Sequence, residues 1–163
     1  MNTTPRCIQI STAESCTSGS LASRITDIKG SSNFFKGGVV SYSEESKRTI
    51  LNIKTEDIYS AECAKEMAQN VCTLLNADIG IAITGYIEKP YTAWACIFQQ
   101  ITYTTYYTST FPINLQECYS GNIDDLDRNE RKQLYVSKII EKLNDPYFLD
   151  YNHPLTIHYQ NKT

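Results

Sequence analysis

Histidine is almost missing from this chain: His153 and His158 are the only two in 163 residues, and both lie near the C-terminus. That scarcity disfavours a hydrolase built on a serine with a histidine base, because the base must stand beside its nucleophile. Cysteine is scattered over six positions (Cys7, Cys16, Cys63, Cys72, Cys96 and Cys118) with no C-x-x-C pair. With so little histidine to join them, a metal site is not expected, and reduced, mostly buried thiols are. Positive charge is short as well. The 15 Lys and Arg against 18 Asp and Glu leave a net charge of −3 with no basic run, which argues against a nucleic-acid partner. No apolar stretch is as long as a membrane span, and no signal-peptide core opens the sequence. A cytoplasmic location without membrane contact is therefore expected.

What is present suits one globular domain, since 41% hydrophobic and 20% charged residues at this length allow a substantial core. Cys7 to Ser11 reads as a short strand, and Leu21, Ala22, Ile25 and Ile28 recur behind it at helical spacing. Gly30-Ser31-Ser32 reads as a loop, Phe34-Phe35 as core, and Gly37 to Ser43 as a strand. A short helix is expected over Glu44 to Leu51 with Ser43 as its cap, and a longer one from Ser60 to about Asn76. Ile79 to Thr84 has the near-continuous apolar character of a strand buried on both faces. Thr, Tyr, Ile and Phe dominate Tyr91 to Tyr119, as in antiparallel strands, and Asp124 to Leu143 reads as an amphipathic helix. The expected fold class is α/β: a single three-layer α/β/α domain with a mixed β-sheet over residues 1–145. A tail over 146–163 would pack on that domain or on a partner subunit.

The junction between the first strand and the first helix is made of small polar residues, Ala13-Glu14-Ser15-Cys16-Thr17-Ser18-Gly19. Unpaired N–H groups at a helix start favour an anion there, although Ser and Thr also cap helices routinely. Cys16 as a nucleophile lacks a nearby activating histidine. A second polar cluster, Tyr42-Ser43-Glu44-Glu45-Ser46-Lys47, lies where the next strand hands over to a helix.

Together these stretches resemble the C-terminal domain family of the competence/damage-inducible protein CinA, whose stand-alone members are nicotinamide-nucleotide amidohydrolases that deamidate nicotinamide mononucleotide (NMN). The resemblance is carried by Thr12-Ala13-Glu14-Ser15-Cys16-Thr17, Thr26-Asp27-Ile28 with Gly30-Ser31-Ser32, and Phe35-Lys36-Gly37-Gly38-Val39-Val40-Ser41-Tyr42-Ser43. Lys47, Glu66-Met67-Ala68, Ala77-Asp78, Ile83-Thr84-Gly85, Lys89-Pro90 and Ser120-Gly121 continue it in order. It implies Ser15 as nucleophile and Lys47 as base, with Tyr42 close by. Cys16, Thr17, Ser18, Gly19, Lys36, Gly37, Gly38, Thr84 and Gly85 would form the oxyanion and substrate-binding surface, with no cofactor and no metal. The substrate would be NMN or a related amide, and the protein a homodimer or higher homo-oligomer. Aromatic segments from Tyr103 to Phe111 and from Tyr147 to Tyr159 are candidate subunit surfaces.

A lysine accepts the serine proton only when neutral. Its pKa must fall from about 10.4 towards neutrality, roughly 4 kcal/mol of differential interaction, through burial beside Tyr42 or a neighbouring cation. Two departures from the family bear on the substrate. Glu44 stands where asparagine is usual, and only Tyr86-Ile87-Glu88 separates Gly85 from Lys89 where the family has a Gly- and Pro-rich loop. Without that loop a phosphate would depend on helix N-terminal N–H groups and on cationic side chains such as Arg24, Lys36 or Lys89, and weaker NMN binding is expected. An amidohydrolase and a non-catalytic domain binding a nucleotide-like ligand or a protein partner both fit; Ser15, Tyr42 and Lys47 together favour the enzyme.

Overall fold

The computed structural model describes residues 6–144 together with His153 and Pro154. Strands and helices follow in the order β1 (Ile10–Glu14), α1 (Ser20–Thr26), β2 (Phe35–Val40), α2 (Glu44–Leu51), α3 (Ala61–Leu74) and β3 (Ile79–Gly85). They continue with β4 (Thr92–Gln100), β5 (Tyr106–Asn114), α4 (Leu115–Cys118) and α5 (Arg128–Leu143). The sheet has the order β2-β1-β3-β4-β5, parallel across its first three strands and antiparallel across the last two pairings. This is the mixed α/β sheet expected from the sequence. The expected tail over 146–163 lies outside the described residues, apart from His153 and Pro154.

Alternation along β3 sets the two cores. Ile79, Ile81 and Ile83 pack with Leu21 and Ile25 of α1 and with Tyr135, Val136, Ile139 and Ile140 of α5. Ala82 belongs instead to the opposite core, with Ala13, Cys96 and Phe98 against Ala64, Met67, Ala68 and Val71 of α3. Large residues on one face and small ones on the other let α3 lie close to the sheet.

Local chemistry explains where the elements begin and end. In α2 the Ser46 N–H donates to Ser43 Oγ at 3.0 Å and the Ser43 N–H to Ser46 Oγ at 3.1 Å, a reciprocal cap; Asn52, at φ +54°, ends the helix. Helix α5 starts at Arg128 rather than Asp124, because Asp127 and Glu130 form the corresponding capping pair. The first strand starts at Ile10 rather than Cys7. Asp78 holds the backbone of Gln9, accepting from its N–H at 2.7 Å and donating its own N–H to its carbonyl at 2.9 Å. Strand β2 starts at Phe35, two residues earlier than expected, and bulges at once. Ile10 pairs with Phe35 but Ser11 with Gly37, whose φ of +147° glycine adopts without strain.

The connection from β1 to β2 runs through α1 on one face, and that from β2 to β3 runs through α2 and α3 on the other. At the carboxyl ends of β1 and β2 the chain therefore departs in opposite directions, and a crevice opens between the departing segments. At the other end of the architecture β5 is an edge strand, with Tyr103, Tyr106 and Tyr107 exposed. Among the described residues no helix is long and apolar enough to cross a membrane.

Candidate active site

Ser15 is the first residue beyond β1. Its N–H donates to the Ile83 carbonyl at 3.1 Å and its carbonyl accepts from the Ser18 N–H at 3.0 Å, so its backbone is held at both ends of the turn. Ser18 at φ +45° and Gly19 at φ +101° then swing the chain into α1. The buried carboxylate of Glu14 locks this turn. Its Oε1 accepts from Thr17 Oγ1 and from the Leu21 N–H, both at 2.7 Å, and Oε2 accepts from the Ala22 N–H at 3.0 Å. The N–H groups of Cys16 and Thr17 donate to no backbone carbonyl among the described residues; both face the Cys16 sulfur at the mouth of the turn.

Glu14→Gln keeps the shape but turns an amide NH2 towards groups that need an acceptor. Hydrogen bonds to a charged group contribute about 1.5–3 kcal/mol each. A loss of about 2 kcal/mol, or roughly 4–8 °C in Tm by circular dichroism, is the expected result. A Tm equal to that of the unaltered protein would show that the carboxylate is dispensable.

Lys47 enters from α2, on the other side of the crevice. It is 1% exposed, and its Nζ lies 2.8 Å from Ser15 Oγ, 2.8 Å from the Ser41 carbonyl oxygen and 3.4 Å from that of Tyr42. Among the described residues no carboxylate oxygen comes within 4.0 Å of it. Burial pulls its pKa below the ordinary lysine value, while Cys63, Cys16 and Glu44 pull the other way. That opposition is weak at neutral pH: burial pushes Cys16 up to about 12 and Cys63 up to about 11, so both thiols are uncharged. Glu44 spends its carboxylate on Arg48, accepting from Nη2 at 2.8 Å on the exposed side of α2. A neutral Lys47 has two N–H bonds for the two carbonyls and one lone pair, which then faces Ser15.

Over Ser15 and Cys16 lies a cavity of about 210 Å³, lined also by Tyr42, Tyr59, Gly85 and the segment from Tyr86 to Glu88, with Arg128 at its side. Tyr59 and Tyr86 stack with ring centroids 4.4 Å apart, and the Tyr135 hydroxyl donates to the Tyr86 carbonyl at 2.6 Å. Glu88 accepts from Arg128 Nη1 at 2.6 Å and from Arg131 Nη1 at 2.8 Å. The short connection after Gly85 is thus a pinned segment.

The structure brings Ser15, Cys16, Lys47, Gly85 and Tyr42 together, with Thr17 one residue further along the turn. Tyr42 does not supply the burial of Lys47. Its side chain is 60% exposed along the cavity, and it meets Lys47 only through its carbonyl. Thr84 is buried and donates to the Ile58 carbonyl at 2.6 Å, which holds the segment bearing Tyr59. Ser18 and Gly19 line a separate polar groove with Arg24, and Ser18 Oγ accepts from Lys132 at 2.8 Å.

Lys36, Gly37 and Gly38 are not at the site. They pair near the start of β1, whereas Ser41 follows the end of β2 and its N–H donates to the Glu14 carbonyl. Lys36 precedes Ser41 by five residues of extended chain, roughly 16 Å at strand rise. The resemblance groups them with Ser15, but an extended chain carries neighbours away quickly. His153 does not reach Ser15 either: its Nε2 lies 3.2 Å from the Ile8 carbonyl oxygen and its ring packs edge-on against Phe34, at the amino ends of β1 and β2. His158 lies outside the described residues.

Glu14, Tyr59, Glu88 and Arg128 were missed as site residues from sequence. Only Glu14 carried a signal, as an acid standing directly before a turn that opens a helix.

Comparison with known proteins identifies the family and the fold. The family model of the CinA C-terminal domain matches residues 3–89, which include Ser15, Tyr42, Lys47 and Thr84. A Listeria innocua protein named for competence-damage induction is 52% identical over 83 residues, 48% of this chain; the match spans only 20% of that relative. Protein MG115 homolog of Mycoplasma pneumoniae is 34% identical over 139 residues, covering 82% of this chain and 85% of that protein. The crystal structure of competence/damage inducible protein CihA from Agrobacterium tumefaciens superposes with a TM-score of 0.71 at 25% identity, covering 86% of each chain. Competence damage-inducible protein A from Klebsiella pneumoniae does so with a TM-score of 0.64 at 26% identity, covering 86% of this chain and 89% of that one. A mixed five-stranded sheet shared with those proteins, and a family match that spans more than half of the sequence, place this chain in the CinA C-terminal domain family.

Proposed function

We propose that this domain hydrolyses the carboxamide of NMN or a related amide through an acyl-enzyme on Ser15. The observation that supports it most directly is the buried Lys47 amine, 2.8 Å from Ser15 Oγ and held by two backbone carbonyls. Ser15 Oγ attacks the carboxamide carbon while its proton passes to the neutral amine. The oxyanion forms against the N–H groups of Cys16 and Thr17, and one such donor is typically worth about 3–4 kcal/mol at the transition state. The C–N bond then breaks, Lys47 returns the proton to the departing nitrogen, and ammonia leaves. A water molecule deprotonated by Lys47 attacks the acyl carbon and releases the carboxylic acid, nicotinate mononucleotide when the substrate is NMN. Serine is restored.

The test is ammonia release from NMN and from smaller carboxamides, measured across pH. The neutral lysine is the active form, and burial lowers its pKa. Activity therefore rises with pH along a limb whose midpoint lies below the ordinary lysine value of about 10.4. Absence of ammonia with every carboxamide tried would refute the reading. A limb at or above the ordinary lysine value would remove Lys47 as the base.

A further inference from the structure

Arg128 is the one cationic side chain lining the cavity over Ser15 among the described residues. A guanidinium there is the natural partner of an anionic substrate group such as a phosphate. Here it is already engaged: Arg128 Nη1 donates to Glu88 Oε1 at 2.6 Å, and Arg131 Nη1 donates to Glu88 Oε2 at 2.8 Å. Hydrogen bonding to Arg128, and then to Arg131, keeps Glu88 below the usual carboxylate range, so it is ionised at neutral pH.

The backbone that carries Glu88 is held as well. Its carbonyl accepts from the Tyr91 N–H at 2.8 Å, Ile87 beside it is buried, and the Tyr86 N–H donates to the Thr92 carbonyl at 2.9 Å. The cavity, at about 210 Å³, is also below the roughly 300–1,000 Å³ usual for drug-sized ligands. A phosphate entering it would meet the Glu88 carboxylate on Arg128 before it met an unengaged arginine, and like charges at close range repel.

We propose that Glu88 takes the place of a substrate anion on Arg128, so that this site accepts small carboxamides carrying no phosphate. This rests on the amide-hydrolysing reading of Ser15 and Lys47. Glu88 is then the specificity-determining residue, acting through charge and not through contact with the reacting carbon.

The experiment compares nicotinamide with NMN as substrates of the full chain, and measures binding of ribose 5-phosphate and ribose by calorimetry. Ribose 5-phosphate carries the phosphate without the amide. Nicotinamide is expected to have the higher kcat/KM, and ribose 5-phosphate is expected to bind no better than ribose. In Glu88→Gln its affinity rises at least tenfold, and Arg128→Ala in that background removes the gain. Three results would overturn the proposal: NMN preferred by the unaltered protein, a tenfold preference for ribose 5-phosphate over ribose in that protein, or no gain in a Glu88→Gln variant with a native melting profile. If Glu88→Gln does not fold, the two comparisons on the unaltered chain decide. If no carboxamide releases ammonia while Glu88→Gln gains phosphate affinity, the hydrolase reading falls and the exclusion of phosphate by Glu88 stands.

Discussion

Ser15→Ala is expected to lower turnover at least 10⁴-fold while leaving amide binding within about threefold. Removing a nucleophile abolishes the covalent route, and single losses within a catalytic pair cost nearly as much as losing both. A 10⁴-fold loss corresponds to about 5.4 kcal/mol at the transition state. Lys47→Met should be as severe, and the double variant no worse than either single one. Methionine also isolates chemistry from folding. It is unbranched, one atom shorter than lysine, and carries no charge to desolvate, but it leaves the Ser41 and Tyr42 carbonyls without their donor. These effects oppose one another, and stability is expected to stay within about 1 kcal/mol of the unaltered protein. Ammonia release gives the turnover, calorimetry the binding and thermal melting the fold. Retained turnover in Ser15→Ala would remove the acyl-enzyme route altogether.

The second large effect falls on stability, at a position far from the chemistry. A Cβ on Gly80 would lie 1.9 Å from the Ala68 carbonyl oxygen and 2.9 Å from Cys72 Cβ, both on α3. Neither can move alone, since one is helix backbone and the other is the root of a buried side chain. Gly80→Ala must therefore lift α3 from the sheet and loosen Met67, Ala68 and Val71 against Ala13 and Ala82. Overpacking of this kind usually costs about 1–3 kcal/mol, and a clash with helix backbone puts this case at about 3 kcal/mol or more. Thermal melting should show a Tm lower by roughly 6 °C or more. Activity should fall as well. Cys63, on α3, is part of the surroundings of Lys47, and admitting water there would raise the lysine pKa back towards its ordinary value. A variant that melts with the unaltered protein would mean that α3 has room the structure does not show.

Much of this architecture was legible from short-range signals. Helix α2 runs over the expected residues because both its ends are marked, by Ser43 and by Asn52. Strand β3 was readable from its apolar run, but not the division of that run into a large face and a small one, which depends on what packs on each side. The start of α5 was misplaced although Asp127 and Glu130 carry the capping spacing; Asp124 and Asp125 offered an earlier, competing start. Ser15 and Lys47 stand 32 residues apart, and only family resemblance linked them; their contact follows from two crossovers that the local pattern does not encode. Arg128 and Glu88, 40 residues apart, were invisible for the same reason, with no motif to join them.

The crevice between the two departing connections divides labour along the chain. Ser15 and Lys47, the proposed bond-breaking pair, hang from β1 and from the helix after β2, so the parallel half of the sheet suffices to hold them. Glu88 and Arg128, proposed to decide what may approach, come from the end of the family match and from beyond it. A lineage built on this plan can rewrite its diet without relearning its chemistry. On the proposed reading, exchanging the few residues after Gly85 and the first turn of α5 would alter the clientele, and the serine and lysine need never move.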